Sequence, residues 1–229
     1  MSSLPKPDAS LFLASSVHDM KNSISVLQDS IRRLLANAPP DQSGEYREMS
    51  QMLYETQRIN GNLIQLLTLY KFGHDLYPFN PETQEIAEFA RSAVSHVTPL
   101  LASRQIALEV ELEDDSYWEF DTDLVNGIVV HAMNNAVQYT KDALHLRIEM
   151  VNDALEIRIE DNGSGFPQHM VDDGIAAMRG VNFSTGSTGL GLYFAAVVAQ
   201  MHGNRKERGS IRLENGGKLG GGCFILRLP

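Results

Sequence analysis

Three polar residues near the N-terminus could carry out chemistry on a phosphoryl group. His18 is followed directly by Asp19, and Asn22 lies four residues after the histidine. A neutral imidazole nitrogen is a good nucleophile toward phosphorus, and a neighbouring carboxylate can orient the ring and accept its proton. In a helix, Asn22 would share a face with His18, where its amide could position a water molecule. The three residues are therefore candidate catalytic residues, although a histidine beside an aspartate is also typical of a plain solvated helix face.

Two glycine-rich segments in the C-terminal half could bind a nucleotide. The first, Asp161-Asn162-Gly163-Ser164-Gly165-Phe166, follows a segment that alternates like a strand. A carboxylate at the end of a strand can accept a hydrogen bond from the amino group of adenine. Gly163 and Gly165 would let the backbone turn sharply beside the base. An ordinary Asp-x-Gly turn would have the same sequence.

The second segment, residues 186–192, opens an apolar helical stretch. Small residues let backbone N–H groups approach phosphates, and a helix N-terminus favours negative charge. The candidate nucleotide-binding residues here are Gly186, Ser187, Thr188, Gly189, Leu190 and Gly191. The segment could be only a helix start, but it lies 28 residues after Asp161 (189 − 161), across a loop rich in Gly and Ser. That spacing favours a nucleotide site.

Two heptad stripes predict the helices that carry the N-terminal candidates. Apolar residues recur at intervals of three and four on both sides of a loop at residues 38–44. The stripes are Leu13, Val17, Met20, Ile24, Leu27, Ile31 and Leu34, then Met49, Met52, Thr56, Ile59, Leu63, Leu66 and Tyr70. Two helices cannot enclose a core, so we expect two copies to pair as a four-helix bundle through residues 11–72. The alternative is that the hairpin packs only against the rest of its own chain.

From residue 80 the pattern changes to alternating strands and helices. The expected elements are a helix from Pro81 to about Ser103, a strand Ile106–Leu112, a helix Thr122–Tyr139, a hairpin of His145–Val151 and Leu155–Glu160, a helix Gly191–His202, and strands Ser210–Asn215 and Cys223–Pro229. The glycine-rich link 216–222 is interpreted as a turn, because it precedes a strand rather than a helix. We therefore expect an α/β sandwich with helices on one face of a mostly antiparallel sheet, and an α+β fold overall.

Composition excludes several function classes. The formal net charge of −10 argues against nucleic acid as a partner. The single cysteine, Cys223, cannot form an intrachain disulfide, and we expect it to be buried. No apolar stretch approaches the ~20 residues that span a bilayer. We therefore expect a cytoplasmic chain without a membrane segment.

Four motifs, taken together and in order, resemble those of two-component sensor histidine kinases. They are Phe12–Asn22, similar to the H-box, His131–Thr140, similar to the N-box, and residues 161–166 and 186–192, similar to the two glycine boxes. The resemblance implies a dimerisation and histidine-phosphotransfer domain at residues 1–76. It also implies an ATP-binding domain of the gyrase, chaperone and histidine kinase type at residues 77–229.

The resemblance also implies roles for individual residues. His18 would be phosphorylated from Mg-ATP, with Asp19 as its general base and Asn22 as the polar residue used in phosphatase action. Asn135 would ligate Mg²⁺, for which an amide oxygen is a suitable hard ligand, and Tyr139 would pack near adenine. The phosphoryl group would pass to the receiver domain of a response regulator. About ten residues precede the first helix, so the signal would come from a separate sensor protein, unless the chain is the core of a longer sensor.

Three positions depart from the family pattern. Ser23 replaces a proline that often kinks the helix, His131 replaces an asparagine, and Gln138 replaces a lysine or arginine that reaches the phosphates. Arg179, in an expected ATP lid at residues 166–188 anchored by Phe183, could supply the missing cation. The departures leave two alternatives open. One is a dimeric phosphotransfer or scaffold protein with a degenerate nucleotide site, and the other is a serine kinase or ATPase of the same fold.

Overall fold

The chain divides into two compact units. The computed structural model describes residues 9–37, 44–113, 115–173 and 189–229, and the division lies between Pro78 and Phe79. We call the first part the hairpin unit and the second part the sheet unit. No helix among these described residues is long and apolar enough to cross a membrane.

The hairpin unit consists of two long helices, as the heptad stripes predict. Helix α1 is Ala9–Asn37 and helix α2 is Gly44–Gly73. Val17 and Ile31 of α1 are buried, and Ile24 between them is half-buried. These three positions are seven residues apart, so they form the row of α1 that faces α2.

The other half of each predicted stripe is exposed. On α1 the exposed members are Met20, Leu27 and Leu34, and on α2 they are Met52, Ile59 and Leu66. Both sets again have a spacing of seven residues. We call these six residues the outer stripe. A single hairpin therefore leaves a continuous apolar row on each helix in contact with water.

The sheet unit contains seven strands and four helices in its described residues. In chain order they are β1 Glu82–Glu85, α3 Ile86–Arg104, β2 Ala107–Leu112, β3 Tyr117–Phe120, α4 Thr122–Tyr139, β4 Ala143–Val151, β5 Ala154–Asp161, α5 Gln168–Asp173, α6 Leu190–Met201, β6 Ser210–Asn215 and β7 Gly222–Leu228. Five strands form one sheet in the order β2-β4-β5-β7-β6. Only β2 and β4 are parallel, and the other three pairings are antiparallel. The α+β fold expected from the sequence is confirmed.

The helix expected to begin at Pro81 was placed wrongly. It begins five residues later, at Ile86, because Glu82–Glu85 form strand β1. This strand pairs antiparallel with β3, which the sequence reading did not predict. Both strands are four residues long, and their partners are distant in the chain, so local periodicity does not reveal them.

The two faces of the large sheet differ in composition. Strand alternation sends residues such as Leu146, Ile157 and Leu226 into the core under the helices, where all three are buried. The opposite face is polar. One row of aligned residues crosses all five strands and consists of Glu109, His145, Glu160, Cys223 and Glu214. Cys223 is buried, as expected, and burial raises the pKa of its thiol to about 12.

Candidate functional site

Helix α4 supports the predicted nucleotide residues. Its N-terminus is capped by Asp121, whose Oδ1 accepts a hydrogen bond from the N–H of Leu124 at 3.2 Å. Val125, Val129 and Met133 are buried in the core. The remaining side of the helix carries the polar residues of the predicted N-box, namely His131, Asn134, Asn135 and Gln138. The helix is therefore held by its apolar side, while Asn135 and Gln138 lie outside the core.

The side chain of Asp161 is held at the end of β5 by backbone donors. It is 7% exposed, and its Oδ1 accepts hydrogen bonds from the N–H of Gly163 at 2.7 Å and of Gly222 at 3.2 Å. Among the residues that the structure describes, none donates a hydrogen bond to Oδ2. This oxygen is therefore the one suited to accept a hydrogen bond from an adenine amino group.

The loop after β5 approaches the end of α4 closely. A Cβ on Gly163 would lie 2.1 Å from the carbonyl oxygen of Tyr139, so only glycine fits there. Gly165 has a φ of +77°, which also favours glycine. Asn215 fixes the loop from the other side, accepting from the N–H of Phe166 at 2.7 Å and donating to its carbonyl at 2.8 Å.

Asn162 connects this loop to the segment between α4 and β4. Its Oδ1 accepts hydrogen bonds from the hydroxyl of Thr140 at 2.7 Å and from the N–H of Lys141 at 3.0 Å. Its Nδ2 donates to Asp142 Oδ1 at 2.7 Å. The sequence reading assigned no role to Asn162 or Asn215. The available signal was that each asparagine directly precedes a glycine in a turn. Asparagine side chains often form hydrogen bonds with the backbone of such loops.

The turn between β6 and β7 also belongs to this site. Gly221 donates its N–H to the backbone carbonyl of Asp161 at 3.0 Å, and Gly222 bonds the carboxylate. A Cβ on Gly221 would lie 2.4 Å from that carbonyl oxygen. The sequence reading identified a turn here but not its contact with Asp161, because neighbouring strands in a sheet cannot be read from chain order.

The N-terminus of α6 packs against α4 through His131. Gly189 precedes the helix with a φ of +60°, and a Cβ on Gly191 would lie 1.8 Å from His131 Nε2. Burial lowers the pKa of His131 to about 4, so the ring is neutral near pH 7. Leu190 is half-buried in the first turn. Predicted residues that lie outside the described part of the chain are Gly186, Ser187, Thr188, Arg179 and Phe183.

The predicted nucleotide residues that are described lie around the C-terminal half of α4. Asn135 is half-buried, and its side chain makes no hydrogen bond to another described residue. Its amide oxygen is therefore available to a cation, so it fits the predicted Mg²⁺ role. Gln138 and Tyr139 are exposed at the end of the helix, where a flat base could lie against the tyrosine ring. Because Gly163 and Gly191 have no side chains, the loop after β5 and the N-terminus of α6 both approach α4 closely.

The predicted phosphoacceptor group lies on α1 in the hairpin unit. His18, Asp19 and Asn22 are all exposed, and the adjacent Val17 is buried. The hydroxyl of Ser23 donates to the backbone carbonyl of Asp19 at 3.0 Å within the helix. The imidazole of His18 is thus accessible to a reaction partner from solvent.

Comparison with known proteins identifies the fold of the sheet unit. Residues 120–229 match the family described as "Histidine kinase-, DNA gyrase B-, and HSP90-like ATPase". Among solved structures, Acinetobacter baumannii histidine kinase AdeS aligns with a TM-score of 0.57 and 19% identity, covering 92% of this chain and 96% of that chain. The catalytic domain of histidine kinase ThkA aligns with a TM-score of 0.56 and 19% identity, covering 66% of this chain and 97% of that chain. At these identities the structures establish the fold alone.

A curated relative extends the similarity across both units. The sensor protein SrrB of Staphylococcus aureus (strain N315) is 24% identical over 231 residues, which cover 95% of this chain. The chain spans 37% of the length of that relative. Residues 120–229 therefore match the histidine kinase-, DNA gyrase B- and HSP90-like ATPase family, and nearly the whole chain is similar to a sensor protein.

Proposed function

We propose that the chain is a sensor histidine kinase core. It phosphorylates His18 from Mg-ATP and transfers the phosphoryl group to an aspartate of a response regulator. The observation that carries the proposal is the exposed His18–Asp19 pair on a helical hairpin, in a chain that also has an ATPase domain of this family. The family description also names DNA gyrase B and HSP90, so it supports a nucleotide-binding fold without selecting an activity. The hairpin with its exposed histidine is what favours a kinase.

In the proposed reaction, a neutral ring nitrogen of His18 attacks the γ-phosphorus of ATP. A nitrogen–phosphorus bond forms while the bond from phosphorus to the leaving ADP oxygen breaks. Asp19 orients the imidazole and accepts its proton. Both side chains are exposed, so the attacking nitrogen does not have to leave a buried environment.

The nucleotide is held by the sheet unit in this proposal. Asp161 accepts a hydrogen bond from the adenine amino group through Oδ2, and Tyr139 packs against the base. Asn135 holds Mg²⁺, which neutralises phosphate charge when it is bound. Gly189, Leu190 and Gly191 bring the backbone N–H groups and the helix N-terminus of α6 close to the phosphates.

The phosphoryl group then leaves His18 for a receiver domain. An aspartate carboxylate of the regulator attacks phosphorus, and the nitrogen–phosphorus bond breaks. Asn22, one helical turn from His18, positions a water molecule when the protein acts instead as a phosphatase toward the regulator. Because ATP and receiver domains are cytoplasmic, we propose that the chain acts there.

The hairpin unit forms the proposed homodimer. A second copy covers the outer stripe and completes a four-helix bundle through residues 11–72. The signal that sets the activity would reach this bundle from another protein or from a further part of a longer chain.

Labelling with γ-³²P-ATP tests the phosphorylation step. The protein should acquire label that is stable in base and lost in acid, as a phosphoramidate is. His18→Gln should abolish the label while ATP binding stays within twofold of the unchanged protein. His74→Gln is a matched control, since His74 is also an exposed histidine of the hairpin unit.

The labelling outcomes separate the alternatives. Acid-stable label that persists in His18→Gln would contradict the histidine kinase and indicate a serine kinase. Failure to bind ATP with Mg²⁺ would support the alternative of a scaffold protein with a degenerate nucleotide site. The departures from the family pattern at His131 and Gln138 are what keep this alternative open.

A further inference from the structure

The turn between β6 and β7 should not hold its shape unaided. Five of its seven residues, 216–222, are glycines. Gly216, Gly217 and Gly220 have positive φ values of 106°, 64° and 82°. Glycine loses more conformational freedom on folding than any other residue, so a turn of this composition needs contacts outside itself.

Glu160 holds the first half of this turn. Its Oε2 accepts a hydrogen bond from the N–H of Lys218 at 2.7 Å, and a Cβ on Gly217 would lie 2.7 Å from the same oxygen. Glu160 is 4% exposed, and its other oxygen accepts from Arg158 Nε at 3.4 Å. A buried carboxylate that is already fixed by an arginine is a strong and rigid acceptor for a backbone donor.

Asp161 contacts the second half of the turn from the other face of the sheet. Successive residues of a strand point to opposite faces, so Glu160 and its neighbour contact the turn from opposite sides. The N–H groups of Gly221 and Gly222 bond the backbone carbonyl and the side chain of Asp161, respectively. The turn therefore passes around the end of β5, held by Glu160 on one side and by Asp161 on the other.

The side chain of Lys218 extends the first contact across the open face of the sheet. Its Nζ lies 2.8 Å from Glu109 Oε1, on the edge strand β2. This ion pair is exposed and contributes little energy by itself. The lysine side chain therefore lies along the same face of the sheet as Glu160.

We propose that Glu160 is a positioning residue of the nucleotide site. By fixing the turn at Lys218, it places the N–H of Gly222, which in turn holds Oδ1 of Asp161 and directs Oδ2 toward the base. The inference rests on the proposed adenine-binding role of Asp161. Glu160 itself points to the opposite face of the sheet and touches no nucleotide.

Base discrimination is the property that this arrangement controls. ITP carries a 6-oxo group where ATP carries the amino group, so it cannot donate to Oδ2 of Asp161. When the turn is loosened, the carboxylate loses one of its two backbone donors and its fixed direction. The preference for ATP over ITP should then shrink, whereas contacts to the phosphates should not change.

Calorimetric titration of the full chain with ATP and with ITP, each with Mg²⁺, tests the proposal. Glu160→Met should weaken ATP binding roughly five- to tenfold, the equivalent of about one hydrogen bond. It should change ITP binding less than twofold. Glu160→Gln keeps an acceptor oxygen and should give a smaller loss. The Gln variant also provides the measurement if the Met variant does not fold.

Glu156→Met is the matched control. Glu156 is a second buried carboxylate on the same face of β5 and also pairs with Arg158, at 2.9 Å, but it makes no contact with the turn. Its replacement should leave the ratio of ITP to ATP dissociation constants unchanged. An unchanged ratio in both Glu160 variants, or an equal change in Glu156→Met, would overturn the positioning role. Failure of the unchanged protein to bind either nucleotide would instead overturn the proposed function.

Discussion

The two units differ in how completely a single chain buries their apolar side chains. In the sheet unit, large side chains such as Phe120, Ile157 and Leu226 are fully enclosed by their own chain. In the hairpin unit, the outer stripe is exposed although its spacing is that of a core. Half of the heptad pattern is therefore used in the contact between α1 and α2, and the other half stays exposed in the described part of the unit.

Buried polar atoms show the same contrast. Among the described residues of the hairpin unit, three buried amide atoms lack a hydrogen-bond partner. They are Gln28 Nε2, Asn60 Oδ1 and Gln65 Oε1. The longer sheet unit has two such atoms in its described part, Asn126 Oδ1 and His145 Nδ1. Since buried polar groups are usually paired, the hairpin packing is less complete on both apolar and polar criteria. The comparison supports the proposed pairing of two hairpin units.

The largest expected effect comes from charging the outer stripe. Leu27→Lys together with Ile59→Lys should convert a dimer to monomers, weakening association at least a thousandfold, because four apolar side chains are lost from the two copies together. Each aliphatic side chain contributes roughly 1.5–3 kcal/mol when it is buried. Sedimentation equilibrium of the full chain measures the effect, and ATP binding by the sheet unit should stay within twofold.

Val26→Lys is the control for the outer stripe. Val26 is more exposed than Leu27 and lies next to it, but it does not belong to the row with a spacing of seven. Its replacement should leave the association unchanged. Equal dissociation by both variants, or a monomeric unchanged protein, would remove the distinction between the two units.

A smaller effect is expected from acid, and it should be confined to the sheet unit. Burial lowers the pKa of His131 to about 4, whereas an unfolded chain has a histidine pKa of about 6.5. Burial also lowers the pKa of His202, whose Nε2 accepts the N–H of Asp121 at 3.0 Å. Because the unfolded chain binds these protons more readily, the free energy of unfolding should fall as the pH drops from about 6.5 to about 4. His131 alone should account for roughly 3 kcal/mol.

Urea unfolding followed by the fluorescence of Trp118, the single tryptophan, measures the stability of the sheet unit across this pH range. His131→Gln should flatten the dependence between pH 6.5 and 4. His96→Gln, which changes an exposed histidine of α3, should leave it as it was. The same slope in His131→Gln as in the unchanged protein would show that this imidazole is not the titrating group.

The smallest effect concerns one glycine in a helix of each unit. Alanine is favoured over glycine inside a helix by up to about 1 kcal/mol. A Cβ on Gly61 in α2 would meet no atom within 4 Å, and a Cβ on Gly127 in α4 would make an ordinary contact of 3.6 Å with Phe194. Both replacements should stabilise their units by roughly 0.5–1 kcal/mol, measured by thermal unfolding. A loss of stability in Gly61→Ala would show that a second copy packs against that position.

Local periodicity was enough to predict several elements of the fold. Helix α4 has the bounds expected from sequence, and the hairpin of β4 and β5 turns at Asn152 and Asp153 with positive φ at both residues. These features depend on residues close together in the chain. The burial of Val17 and the exposure of His18 also follow from position on the heptad.

Features that depend on distant pairing were not predicted. The sequence predicts the start of a helix where strand β1 lies, because Pro81 suits a first helical turn. The support of Asp161 by Gly222 requires β5 and β7 to be neighbours, and that order is not visible across a separation of 61 positions (222 − 161). Asn135 and Asp161 could be identified from motifs. The residues that hold Asp161 in place could not all be identified, because Gly222 reaches it only through the order of the strands in the sheet.

The polar row across the five strands has a consequence for assembly. Glu109, His145, Glu160 and Glu214 place ionisable side chains on four of the five strands of this face, and Arg227 places another on β7. Stacking two such faces would strip water from many charges at once, which is unfavourable. We therefore expect self-association of this chain to use the apolar outer stripe of the helices rather than the polar face of the sheet.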